Sequence, residues 1–219
     1  MRPVIVLLAL LVSVPAHADD RKTGTVRGTI TVDRPPNVVA GAILVYVVGF
    51  EEPAGSSTPR ILQRDRQFLP DLVAITAGQS VSFPNGDPIL HNVFSPTPER
   101  RFDLGSYRKG DTRKRAFPRA GVVDVFCNIH PGMSATIVVL PNRRFAFADA
   151  SGAFTIEGVP AGTWKIFAYS RRARTPVSAK VTVTAGVAAE VGLTLEEVAR
   201  DFRHRNKYGE QYRDPDRYR

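Results

Sequence analysis

The stretch Val123-Asp124-Val125-Phe126-Cys127-Asn128-Ile129-His130-Pro131-Gly132-Met133 decides how the chain is read. Alternation puts Val123, Val125 and Cys127 on one face of a strand and leaves Asp124 on the other. The sulfur is therefore expected to point into a β-sandwich, at the end where the chain turns out of the strand. His130 and Met133 lie on the short turn that follows, so one loop displays three potential ligands. A fourth, His91, opens another predicted strand after the tight segment Asn85-Gly86-Asp87-Pro88. Two strand-end loops at one pole can thus offer two imidazoles, a thiolate and a thioether to a single ion.

Outward from this stretch short alternation recurs, punctuated by Gly, Pro, Asn and Asp, and helical periodicity is nearly absent. Strand signals fall at 61–63, 67–69, 73–76, 80–83, 91–94, 112–117, 121–127 and 135–140, which suits one sandwich of short strands. Before them, 25–32 and 42–48 read as strands around the turn Asp33-Arg34-Pro35-Pro36-Asn37, and 51–59 is linker-like. After them, alternation at Phe154/Ile156, Trp164/Ile166/Ala168, Ala179/Val181/Val183 and Val191/Leu193/Leu195 predicts a second small β-sandwich. That block is short for a domain standing alone. The apolar pattern stops at 198. Residues 200–219, with seven Lys or Arg, four acids and three Tyr, read as a mobile basic tail. At the other end Arg2, the apolar run 4–14 and the small-x-small Ala16-His17-Ala18 read as a signal peptide over 1–18, in preference to an uncleaved anchor. No other stretch is apolar enough to cross a bilayer, so a periplasmic or otherwise exported protein without stable membrane insertion is expected.

The chain has 219 residues, 43% hydrophobic and 23% charged, which excludes general disorder. A single Cys excludes an internal disulfide, a four-Cys zinc site, an iron–sulfur cluster and a two-Cys copper pair. There are four His, with His17 in the leader and His204 in the polar tail. That leaves too few for a multicopper oxidase or another multi-His metalloenzyme. Two His and one Cys near a trigonal plane, with a weak axial Met, are the blue-copper electron-transfer arrangement. Thiolate and thioether suit Cu(I) and imidazole suits both states, so one copper ion cycling between Cu(I) and Cu(II) is expected. Taken singly, each residue has a plainer reading: a core Cys, a surface His, a space-filling Met. Their joint spacing outweighs those readings. A Cys–His catalytic dyad would leave Met133 and His91 unexplained, and zinc would leave the thioether idle, so no enzyme is expected.

At these residues the chain resembles the cupredoxin family, most closely its amicyanin-like branch. Ser82-Phe83-Pro84-Asn85-Gly86-Asp87-Pro88-Ile89-Leu90-His91-Asn92-Val93 is similar to the family's first ligand loop. The Cys-x-x-His-x-x-Met spacing at Cys127, His130 and Met133 is similar to amicyanin's short loop rather than plastocyanin's longer one. Less specific likenesses lie at Gln67-Phe68-Leu69-Pro70 and Thr76-Ala77-Gly78-Gln79, and the resemblance covers roughly 60–141. It implies a cupredoxin-type Greek-key β-sandwich, with His91, Cys127 and His130 as equatorial ligands and Met133 as the axial one. It also implies that Asn92 ties the two ligand loops together and shields the sulfur. A second resemblance, over 149–164, is to the carboxypeptidase regulatory-like, or transthyretin-like, β-sandwich, whose opening looks like Gly24-Thr25-Val26 and Gly41-Ala42. Together the two imply an all-β chain. Residues 19–57 would be N-terminal strands forming the first half of the regulatory-like sandwich, 58–141 the cupredoxin domain, 142–197 the second half and 198–219 a basic flexible tail. Two domains in series are the alternative. The combined layout resembles proteins labelled cupredoxin-like methylamine-utilisation proteins.

The formal net charge is +9, and 100–119 holds eight Lys or Arg against two Asp. This stretch reads either as a solvated face or as a docking surface for an acidic redox protein or an anionic membrane. Nucleic acid is not expected, since no aromatic-and-basic recognition motif is present. The resulting expectation is a monomer that passes one electron at a time between larger redox proteins, such as a c-type cytochrome or a dehydrogenase. Copper binding or delivery without electron transfer is the alternative. Electrons are expected to enter at an apolar rim of Pro88, Ile89, Leu90, Ile129, Pro131 and Gly132, with the edge of the His130 ring at the surface.

Overall fold

The computed structural model describes residues 22–212, and every regular element in them longer than one residue is a β-strand. The signal-peptide reading of 1–18 and the last part of the tail, 213–219, lie outside the described residues. Two strands come first, β1 (Thr23–Asp33) and β2 (Leu44–Val48). The part with the candidate ligands follows: β3 (Leu62–Arg64), β4 (Gln67–Leu69), β5 (Leu72–Thr76), β6 (Ser80–Pro84), β7 (His91–Ser95), β8 (Phe102–Tyr107), β9 (Thr112–Ala116), β10 (Gly121–Phe126) and β11 (Ser134–Leu140). The last strands are β12 (Phe145–Phe147), β13 (Ala153–Pro160), β14 (Gly162–Tyr169), β15 (Val177–Val183) and β16 (Ala188–Glu196).

In the inner sandwich one sheet has five strands in the order β5-β11-β10-β7-β8, and β5 runs parallel to β11 while the other neighbours are antiparallel. The jumps from β5 to β11 and from β7 to β10 are crossovers of Greek-key type rather than a meander. Facing this sheet are the ribbons β3-β4 and β6-β9, joined by the bridges Arg60 to Ser82 and Gln63 to Asn85. Inward side chains alternate along each strand, and Phe68, Ile75, Val81, Phe83, Val93, Val123, Val125 and Ile137 fill the core. Strand β8 is absent from the sequence reading. Its alternation is short and broken by Gly105 at φ 71°, and its pairing with β7 shifts register between Asn92 and Phe94. An irregular edge strand of this kind gives little periodic signal.

The outer sandwich is built from both ends of the chain. Strand β1 lies between β13, antiparallel to it, and β16, parallel to it. The opposing sheet has the order β12-β2-β14-β15. Val26, Ile30, Val45, Val47, Phe154, Ile156, Ile166, Val181 and Leu195 are buried between the two sheets.

A third apolar cluster joins the sandwiches: Leu72, Ala74, Val138 and Leu140 meet Leu44, with Tyr46, Phe145 and Tyr169 packed against them. This explains why β5 and β11 are buried at every position. One face of each looks into the inner core and the other onto the outer sandwich, so both read as unbroken apolar runs. Asn142 pins this junction. Fully buried, it donates Nδ2 to the carbonyls of Val47 and Phe50, and its Oδ1 accepts from the Arg144 N–H. Asn142→Ala would strand these three groups away from water, so stability is expected to drop by about 2–4 kcal/mol. Urea unfolding should show a lower midpoint with an unchanged slope.

Candidate metal centre

Strand β10 delivers the sulfur by simple alternation. Val123 and Val125 have no exposed surface, Asp124 is exposed, and Cys127, one step past the strand, is fully buried. The loop then closes on itself. The Met133 N–H donates to the His130 carbonyl and the Cys127 N–H donates to the Met133 carbonyl, each at 3.1 Å. From the neighbouring strand β7, His91 turns inward with Val93, and both are fully buried. The Cys127 Sγ lies 3.7 Å from the His91 Nδ1 and 3.5 Å from the His130 Nδ1. The two rings are tilted by 59° with centroids 4.8 Å apart. One ligand atom from each of the three residues lies within 4.8 Å of the others. Met133, 1% exposed, is buried in the same core cluster as Cys127.

The spacing fits an ion at the centre. Bonds of about 2.3 Å to sulfur and about 2.0 Å to nitrogen, opened by a trigonal angle, place sulfur and nitrogen about 3.7 Å apart. Buried soft and imidazole donors are the set that suits copper. Burial pushes the Cys127 thiol pKa up, against hydrogen bonds to the sulfur from the N–H groups of Asn92, Ile129 and His130. Those donors become favourable once a metal holds the sulfur as thiolate. Burial, then the neighbouring His91 and Arg66, push the His130 imidazole down to about 4 in spite of Asp87, so it is neutral and free to ligate at neutral pH.

Asp87, which the sequence offered only as part of a turn, orients His91. Its Oδ2 lies 2.7 Å from the His91 Nε2, which fixes the proton there and leaves Nδ1 facing the sulfur. The carboxylate is itself held by the N–H groups of Asp65 at 2.7 Å and Arg66 at 3.0 Å, from the tight turn between β3 and β4. Burial works to raise the Asp87 pKa, but the donors from Arg66, His91 and Asp65 outweigh it and hold the carboxyl below its usual value. Asn85 closes this loop, accepting from the Asp87 N–H and donating to the carbonyls of Ile89 and Tyr107. Asn92 departs from the role implied by the resemblance. Its N–H reaches the sulfur, but its side chain donates to Asp103 on β8 at 2.7 Å rather than to the other ligand loop, and its Oδ1 is buried without a partner.

Two expectations need correction. The tail is not loose over its described part. Phe202, His204, Lys207 and Tyr212 lie against the protein, and His204 stacks on Phe126 with centroids 4.4 Å apart. The reason is aromatic. Phe94 and Phe126 face outward from the sheet at the metal pole, and His204 packs on both. The Phe, His and Tyr in this basic segment were the available signal. Secondly, the exposure expected of the His130 ring is slight at most: the residue is 6% exposed, while Ile89 at 38% and Leu90 at 49% are the open part of the apolar rim.

Among solved structures, 79 chains match. One is a novel purple cupredoxin from Nitrosopumilus maritimus, 22% identical, with a TM-score of 0.35, covering 37% of this chain and 98% of that one. Another is amicyanin from Paracoccus versutus, 25% identical, with a TM-score of 0.36, covering 43% of this chain and 96% of that one. A reduced amicyanin variant is 18% identical, with a TM-score of 0.36, covering 43% of this chain and 98% of that one. No protein-family model and no curated protein matches the chain.

The His130 environment sets a pH dependence for the metal-free protein. The unfolded chain takes up a proton near the ordinary value of 6.5, whereas the folded imidazole does so only at about 4. Below the ordinary value the unfolded state therefore binds more protons, and stability falls as pH drops from 6.5 towards 4. His130→Gln should remove about 2 kcal/mol of the loss between neutral pH and pH of about 4.5. Urea titrations of both metal-free proteins at the two pH values check this.

Proposed function

We propose that the protein is an exported mononuclear blue-copper protein that carries one electron at a time between larger redox proteins. The observation that carries this reading is the buried cluster of two imidazole Nδ1 atoms around one sulfur, with Met133 buried in the same core. His91, Cys127 and His130 would hold the ion, Met133 would offer a weak thioether donor, and copper would supply a one-electron couple between Cu(I) and Cu(II). The chain's own residues do the rest. Asp87 fixes which nitrogen of His91 faces inward, and main-chain N–H groups bond the sulfur. With His91, Cys127, His130 and Met133 all buried, water is kept from the centre and little can rearrange when the charge changes. A buried thiol whose pKa is raised is poorly suited to nucleophilic catalysis, which needs an accessible thiolate. The same closure favours carrying electrons over handing on the ion. No helix among the described residues is long and apolar enough to cross a membrane.

The surface suits brief encounters with an acidic partner. Pro88, Ile89 and Leu90 are exposed beside His91, and Arg66, Arg108 and Lys109 are exposed around them. Strand β9, with Arg113, Lys114 and Arg115, is exposed at every position. A small apolar patch expels water easily without holding a complex together, and the surrounding charge accelerates association.

The copper-loaded, oxidised protein is expected to show an intense visible thiolate-to-copper band. Cys127→Ser should abolish it, and an unchanged spectrum would refute the assignment. Met133→Leu should retain colour and raise the reduction potential, measured by redox titration, because a donor to Cu(II) is lost. Stopped-flow oxidation by an acidic cytochrome locates the entry point. Ile89→Glu should slow transfer at every salt concentration. Reversing Arg113, Lys114 and Arg115 should slow it about tenfold or more at low salt and little at about 1 M.

A further inference from the structure

We propose that residues 200–212 form a strap, mounted on the outer sandwich, that positions the ligand loop from outside and limits how readily the site opens to exchange its metal. The metal-exchange part rests on the copper reading; the positioning part does not.

The root of the strap is fixed. Immediately after β16, Glu197 is 1% exposed, accepts the Ser170 hydroxyl at 2.6 Å and pairs with Arg34 at 2.5 Å. The next stretch crosses the junction between the sandwiches. Arg200 donates to the Ala173 carbonyl, and the Phe202 ring lies 4.2 Å from the Arg171 guanidinium and 5.0 Å from that of Arg172. Arg171, on the outer sandwich, also donates to Asp71, Ser134 and Thr136 of the inner one, the last two just beyond Met133.

The far end grips the ligand loop. The His204 N–H donates to the Pro131 carbonyl at 3.0 Å, and its Nε2 lies 3.2 Å from the His130 carbonyl. The Lys207 N–H donates to the Asn128 side chain at 2.7 Å, and the Tyr212 hydroxyl donates to the Cys127 carbonyl at 3.0 Å. Four loop residues are thereby held from outside. The second ligand-bearing strand is reached as well: the Lys207 ammonium and the Asn92 amide each bond one oxygen of Asp103, and Asn92 follows His91.

A buried ion can leave only when a ligand loop opens, and loops held by few bonds open most often. Without the strap, this loop is closed by two main-chain bonds and by the N–H groups of Ile129 and His130 on the sulfur. Strap bonds are made in the closed state and lost on opening, so they reduce the open population whether or not a metal is bound. The outer sandwich thereby acquires a physical role, because it fixes the root from which the strap reaches the pole.

The test compares the full chain with His204→Ala/Tyr212→Phe, which loses the side-chain bonds to the His130 and Cys127 carbonyls, and with Lys207→Pro. The latter loses the main-chain donor to Asn128 and the ammonium pair with Asp103, at the second position of the turn closed by the Gly209 N–H on the Asn206 carbonyl, where proline is tolerated. Arg203→Ala serves as control, since among the described residues that side chain pairs with Asp201, on the exposed face of the strap, and not with the ligand loop. Amide hydrogen exchange over 127–133 is measured in the metal-free proteins, and transfer of Cu(I) to excess bicinchoninate is measured in the loaded ones. Both rates should rise about tenfold or more in the strap variants, the effect of losing one or two net hydrogen bonds, and stay at the wild-type value in the control. Faster loop exchange in a protein that takes up no copper would uphold the strap and overturn the copper reading. Unchanged loop exchange in both strap variants, with copper bound and coloured, would overturn the strap and leave the copper reading standing.

Discussion

The Cys127 sulfur has no exposed surface and has imidazole nitrogens at 3.5 Å and 3.7 Å, and the residues around the pole are arranged to suit it. A thiol in such a place resists ionisation, so it becomes a good donor only when an ion joins it. Until then the cluster is three weakly interacting groups that must be held apart at ligand distance by other means. The turn between β3 and β4 holds Asp87, Asp87 holds His91, and the hydrogen-bonded loop from Cys127 to Met133 holds His130. A site prepared in this way would leave an entering ion little to rearrange.

The outer sandwich is part of the same arrangement. Strands β5 and β11 present their second faces to it, so the part of the sheet next to β10 is backed on both sides by packed side chains, while Val122 and Asp124 on β10 itself are exposed. Arg171 adds polar contacts at the end of that interface nearest the ligands. Densely packed interiors have low compressibility and transmit strain, and this junction of apolar side chains and Arg171 bonds is the path by which the outer sandwich bears on the pole.

What the sequence disclosed depended on the kind of signal. Alternation through Val123, Val125 and Cys127 identified the inward sulfur, and the spacing to His130 and Met133 identified the loop, because both are local and periodic. The all-β class was legible for the same reason. Asp87 was hidden because a carboxylate in a turn looks alike whether it caps backbone or orients a histidine, and only the fold brings the turn between β3 and β4 beneath it. Strand β8 was hidden by its irregular pairing. The segment after 198 was misread because composition reports charge, whereas its course is decided by a few aromatic contacts and by carbonyls exposed on a loop far back in the chain.

The pairing of β1 has a consequence for how the molecule comes into being. Its partners are β13 and β16, and contacts such as Arg27 with Glu190 span 163 residues. During synthesis the first strand therefore waits for almost the whole chain, with its edges unpaired, while every partner of the inner sandwich is already made once β11 has emerged. Closing so long a loop is costly unless the intervening residues have condensed first, and the folded inner sandwich brings its own two ends together and shortens the gap. The inner sandwich thus offers a template on which the remainder can assemble. The waiting strand, rich in Thr and Val, is the point at which a slow or crowded folding step would meet other chains.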